Sequence, residues 1–196
     1  MTPQQKKLLL PIFILALGFV SLVGVALYIV AQPADQRATV AIGGPFQLID
    51  QNGKRVTDAT FKGAPSIVFF GFTHCPDVCP TTLFEMTEVL KRIPKDRKVS
   101  ALFVTVDPER DTPATLKDYL SSFDPRISGL SGTRADVDAT LKAYRVYAKK
   151  VPQENGAYSM DHSAIIYLMD KQGRFVSALN LQLPPEAVAR EIMRQM

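Results

Sequence analysis

Two continuous apolar runs, residues 66–70 and 99–106, constrain the fold most. Neither alternates, so each reads as a strand buried on both faces, as in a parallel sheet. Parallel neighbours need a crossover, and the residues after each run provide one. After the first comes the loop 71–80, then a stretch 81–93 with Leu83, Met86, Val89, Leu90 and Ile93 at helical spacing. After the second, Pro113 at a first helical position, capped by Thr112 or Asp111, opens a helix through about residue 123. Residues 127–130 form a third strand candidate. Thr133-Arg134-Ala135-Asp136 resembles a capping box, with Asp for Glu, and starts a helix to about residue 147. Hairpins bracket this centre: 46–49 with 54–56 around Asn52-Gly53, and 164–169 with 174–179 around Gly173. Residues 153–161 read as a polar loop, and Pro184-Pro185 begins a last helix. The order predicts an α/β domain: a mixed central β-sheet flanked by helices, with an added N-terminal β-hairpin.

Ahead of this domain, residues 8–31 contain no charge, and the run is long enough to cross a bilayer. Lys6 and Lys7 precede it and Asp35 follows, which orients residues 1–7 to the cytoplasm and the remainder outside. A cleaved signal peptide is the alternative. The run exceeds a usual signal core, and Ile29-Val30-Ala31 is a poor cleavage site, so an uncleaved N-terminal transmembrane helix is expected. Seven preceding residues leave no room for a mitochondrial transit peptide. The expected arrangement is single-pass in a bacterial inner membrane: anchor 8–31, polar linker 32–40, and periplasmic domain 41–196. Lys and Arg number 23 against 19 Asp and Glu, and they are scattered, so no nucleic-acid partner is expected.

The loop Gly71-Phe72-Thr73-His74-Cys75-Pro76-Asp77-Val78-Cys79-Pro80 holds both cysteines of the chain. Three uses are open: a disulfide, a redox pair or a soft-metal clamp. Pro80 suits a first helical turn, which puts Cys79 at or just before a helix N-terminus, where a thiolate is favoured. One turn apart, two Cβ atoms lie about 5–6 Å from each other. A disulfide wants about 3.5–4.5 Å, so a bridge there would be strained and easily reduced. One metal ion accepts sulfurs about 4–5 Å apart. A structural zinc site needs about four ligands, and beyond the cysteines only His74 and His162 are available. His162 precedes the strand 164–169, which is expected beside the strand 66–70, so its ring could reach the sulfurs. His74 is adjacent to Cys75, and neighbouring side chains point apart. Met160 reads as packing. Two thiolates and an imidazole form a soft set suited to copper, as Cu(I) or Cu(II).

Three segments together resemble the Sco/SenC family of copper chaperones: the cysteine loop, Val104-Thr105-Val106-Asp107-Pro108-Glu109-Arg110-Asp111-Thr112-Pro113, and Asp161-His162-Ser163. The resemblance implies a thioredoxin-like fold and copper bound by Cys75, Cys79 and His162. It also implies a redox-active Cys75–Cys79 disulfide and a role in assembling the dinuclear copper site of cytochrome c oxidase. The implied partners are the oxidase's copper-bearing subunit and a copper donor or thiol reductant. Asp77 and Asp107 fall within the motifs as site-supporting residues. A metallochaperone rather than an enzyme is expected. The alternatives are a thiol–disulfide reductase that keeps the target's copper-ligand cysteines reduced, and a redox or copper sensor. Thioredoxin-type oxidoreductases use Cys-x-x-Cys, one residue closer, and peroxiredoxins place Thr where Phe72 stands.

Overall fold

The six residues of β3, Ser66–Gly71, are all buried, as a strand covered on both faces requires. The computed structural model describes residues 15–25, 27–28, 42–154 and 156–196. These fall into two compact units, Met1–Val40 and Ala41–Met196. In the first, residues 15–25 and 27–28 are helical, with Leu15, Phe19, Leu22 and Leu27 exposed. Among the described residues no helix is long and apolar enough to cross a membrane. Both ends of the expected span 8–31 lie outside the described residues, as do the whole of 1–7 and 32–40.

In the second unit β3 pairs in parallel with β4, Ser100–Thr105, and β4 with β5, Ile127–Ser131. The N-terminal hairpin, β1 (Gln47–Asp50) and β2 (Arg55–Thr57), joins antiparallel at β5. On the other side β8 (Ile166–Met169) runs antiparallel to β3, with β9 (Phe175–Ala178) beyond it. The order is β2-β1-β5-β4-β3-β8-β9, a mixed sheet as expected.

Crossovers after β3, β4 and β5 contain α1 (Val78–Lys91), α2 (Pro113–Leu120) and α3 (Arg134–Tyr144); α4 (Pro185–Met193) closes the chain. Alternation along the strands sends neighbouring rings to opposite faces. Phe69 meets Phe103, and Phe103 meets Tyr119 of α2, through ring contacts of 5.9 Å each, whereas Phe70 meets Tyr144 of α3 at 5.2 Å. Helices therefore cover both faces. The caps follow the sequence: Thr112 accepts from the Thr115 N–H, and Thr133 and Asp136 form a reciprocal box. α3 stops at Tyr144, short of residue 147, because Arg145 turns left-handed (φ 58°).

One expectation is corrected. Residues 153–161 are not simply a loop: β6 (Ala148–Pro152) and β7 (Tyr158–His162) form a separate antiparallel hairpin. Only Met160 of its ten strand residues is buried, so it lacks the alternating apolar signal by which strands are read.

Candidate metal centre

The cysteine loop links the end of β3 to α1. Asp77 is the N-cap, so Val78, Cys79 and Pro80 make the first helical turn, three residues earlier than the apolar spacing suggested. Pro80 is tolerated there because the first N–H groups of a helix have no intrahelical partner. Cys79 is fully enclosed under the end of the sheet. Gly71 makes its room: a Cβ there would lie 2.8 Å from Cys79 Sγ and 2.6 Å from the Phe103 ring.

Cys75 is partly buried, and its Sγ accepts the Cys79 N–H at 3.3 Å. Both thiols are free. Burial pushes the Cys79 thiol well above its ordinary range. A backbone hydrogen bond from Phe72 works the other way, and the Cys75 sulfur adds to the rise. Burial at Cys79 thus opposes the thiolate that a position at a helix start favours.

His162 closes β7 and places Nε2 3.8 Å from Cys79 Sγ. Its Nδ1 lies 3.1 Å from the Ser163 carbonyl oxygen. A carbonyl only accepts, so Nδ1 carries the proton and the Nε2 lone pair faces the sulfur. Phe72 meets the imidazole edge-on at 5.8 Å. Ser163 fixes the corner: its N–H donates to Tyr147 O at 3.0 Å, and its Oγ accepts the Tyr147 N–H at 3.2 Å. Cys79 thus contacts both Cys75 and His162. Among the described residues no three His, Cys, Asp or Glu side chains are gathered into a group that holds a metal. His74 is exposed, its Nδ1 3.1 Å from Thr73 Oγ1.

The acidic residues divide by role. Asp77 is exposed and makes no side-chain cap, and among the described residues its carboxylate meets only the Thr81 hydroxyl, at 3.5 Å. Asp107 is fully buried and accepts from Arg110 Nε and from the Tyr158 hydroxyl at 3.0 Å. The Arg110 guanidinium stacks 3.8 Å from the Tyr158 ring centre and donates to the Tyr158 carbonyl at 3.0 Å. Asp107 therefore acts through Arg110 on β7, the strand that ends in His162.

Asp111, read from sequence only as a possible helix cap, is a site residue that reading missed. It is fully buried and accepts the Thr73 N–H (3.1 Å), the Thr73 hydroxyl (2.6 Å) and the Thr105 hydroxyl (2.6 Å). Burial holds its carboxyl above the usual range against those hydrogen bonds. The signal available was three acids, Asp107, Glu109 and Asp111, in the seven residues after a buried strand, more than one helix cap uses.

A family model described as SCO1/SenC matches residues 34–196. "Protein SCO2, mitochondrial" of Saccharomyces cerevisiae is 43% identical over 161 residues, 80% of this chain but 54% of that protein. This chain therefore spans about half the length of that relative. The "SCO2-like protein" of Rickettsia felis is 38% identical over 152 residues, 76% of this chain and 74% of that one. Among solved structures, Bradyrhizobium japonicum ScoI with copper bound superposes with a TM-score of 0.77 at 62% identity. That match covers 80% of this chain and 100% of the chain in that structure.

Proposed function

Because this chain belongs to the SCO1/SenC family and has its thioredoxin-like fold, we propose that it is a copper chaperone. One ion is held by Cys75, Cys79 and His162. The observation that carries this reading is the 3.8 Å between Cys79 Sγ and His162 Nε2, with the ring's other nitrogen already committed to Ser163. With metal–nitrogen and metal–sulfur lengths of about 2.0–2.3 Å, a trigonal ion keeps such a pair about 3.7–3.8 Å apart. Two sulfurs and one imidazole are a soft set that favours copper, and the solved relative with 62% identity has copper bound. Three protein ligands leave a position for an incoming one, so the ion can pass by ligand exchange. Binding displaces the thiol protons. Copper titration of the reduced protein tests this: one ion per chain is expected, with a drop beyond tenfold in affinity for Cys75→Ser, Cys79→Ser or His162→Ala. Absence of stoichiometric uptake would overturn it.

The recipient, by family resemblance, is the dinuclear copper site of a cytochrome c oxidase. The uncharged run 8–31, with exposed apolar side chains at Leu15, Phe19, Leu22 and Leu27, supports a single-pass inner-membrane anchor and a periplasmic domain. Deleting the chain should leave an oxidase lacking that copper.

A second reading, thiol–disulfide reductant, is favoured by two free thiols of which Cys75 is accessible to a partner. His162→Ala separates the two: copper uptake fails, while disulfide exchange by the cysteines survives.

A further inference from the structure

At the pole of the sheet opposite the thiols, where β3 and β4 begin at Ser66 and Ser100, lies a cleft of about 530 Å³. Five of its lining residues are cations, Lys62, Lys95, Arg97, Lys98 and Arg126, and none is an acid. Two are neutralised locally, Lys62 by Asp58 and Arg126 by Asp124, each at 2.7 Å. Lys95, Arg97 and Lys98 are exposed and have no ion pair or side-chain hydrogen bond among the described residues. They stand on the connection from α1 to β4, whose one acid, Asp96, does not line the cleft. Lys171, also exposed, is brought alongside by its carbonyl, which accepts the Gly63 N–H at 2.8 Å.

The chain enters the domain at this same pole. A Cβ on Gly43 would lie 3.8 Å from the Gly173 carbonyl, and one on Gly173 would lie 3.5 Å from Lys62. Ile42 and Gly43, the first described residues of this unit, thus lie on the Lys62 side of this pole. Scattered surface lysines are ordinarily just solvated. Here Lys95, Arg97 and Lys98, without an ion pair among the described residues, border an acid-free cleft at the pole where the described part of this unit begins.

We propose that this pole is a docking surface for an anionic bilayer, with Lys95, Arg97 and Lys98 engaging lipid phosphate groups and Lys171 adding to the field. The proposal rests on the reading of 8–31 as a membrane anchor. It gives the domain one preferred orientation. β3 runs from this pole to the cysteine loop, and its six residues span about 17 Å, so the thiols point away from the lipid toward the aqueous side. Each lysine or arginine held at an anionic surface strengthens binding by about fivefold, so the three together contribute about a hundredfold.

The test uses residues 41–196. These form a compact unit containing the entire described core, and the solved ScoI chain, all of which matches within 80% of this chain, is itself folded. Co-sedimentation is measured with phosphatidylcholine vesicles and with phosphatidylcholine vesicles containing phosphatidylglycerol. Expected are preferential binding to the second, weakening with added salt, and loss by about a hundredfold in K95E/R97E/K98E. The milder K95Q/R97Q/K98Q should lose less, and K149E, on β6, should bind as the parent does. Equal binding to both vesicles, or a loss in K149E matching the triple variant, would overturn the proposal. So would inorganic phosphate displacing the protein at constant ionic strength, since that marks a free-phosphate site instead. Carbonate extraction of the full chain reports separately on the anchor, so the two readings fail independently.

Discussion

Replacing Gly71 by alanine would put a methyl group within 3 Å of both Cys79 Sγ and the Phe103 ring. Overpacking of this kind costs about 1–3 kcal/mol, and one of the crowded atoms is a proposed copper ligand. Gly71→Ala should therefore lower the denaturant midpoint and weaken copper uptake together; retained uptake at lowered stability would mean that Cys79 does not have to stay where Gly71 puts it. The residues of this site differed in how far they could be read beforehand. Cys75, Cys79 and His162 stand out by residue type and by motif. Asp111 does not, because an Asp before Thr-Pro already has a reading as a helix cap, and its real partners, Thr73 and Thr105, lie on two other segments.

Among the elements, the β6–β7 hairpin matters most, since it carries His162 yet was the least legible. Apolar spacing reports burial, and a hairpin standing off the main sheet with one buried residue leaves almost no such record. What holds it is polar: Asp107, Arg110 and Tyr158. Arg110→Met should destabilise the domain by about 3 kcal/mol, because it strands the enclosed Asp107 carboxylate. Adding Asp107→Asn should recover part of that loss, a double-mutant cycle readable by chemical denaturation. A single variant no less stable than the parent would remove the clamp from consideration.

A second local device, remote from the thiols, ties α1 to β5: the Asp124 N–H donates to Thr87 Oγ1 at 3.1 Å, and Arg126 holds the Asp124 carboxylate at 2.7 Å. That hydrogen-bonded pairing keeps the Asp124 carboxyl below its usual range. A lowered folded-state pKa stabilises at pH above the unfolded value and loses its effect as pH falls through the folded one. Asp124→Asn should thus cost about 2 kcal/mol at neutral pH and progressively less in acid. A cost independent of pH would point to shape rather than charge.

For the whole molecule, the strand–helix order was readable because parallel strands buried on both faces are nearly continuous apolar runs, and the helices after them announce themselves by caps at Thr112 and Thr133. The arrangement follows from that order: β3 ends at the cysteine loop, β8 lies beside β3, and the hairpin before β8 swings His162 across to Cys79. One end of the sheet holds the sulfurs and the other Lys95, Arg97 and Lys98, which have no ion pair among the described residues, so the bilayer docking proposed at the second end would present the first to a partner. If the anchor reading holds, full-length protein should stay with membranes through alkaline carbonate, and release would contradict it. The most direct test of the centre is copper X-ray absorption on the loaded protein and on His162→Ala. Two sulfurs and one imidazole are expected in the first, with the imidazole scattering gone in the second. Imidazole scattering that persists without His162 would assign the ligand to His74, the only other histidine, and would contradict the proposed site.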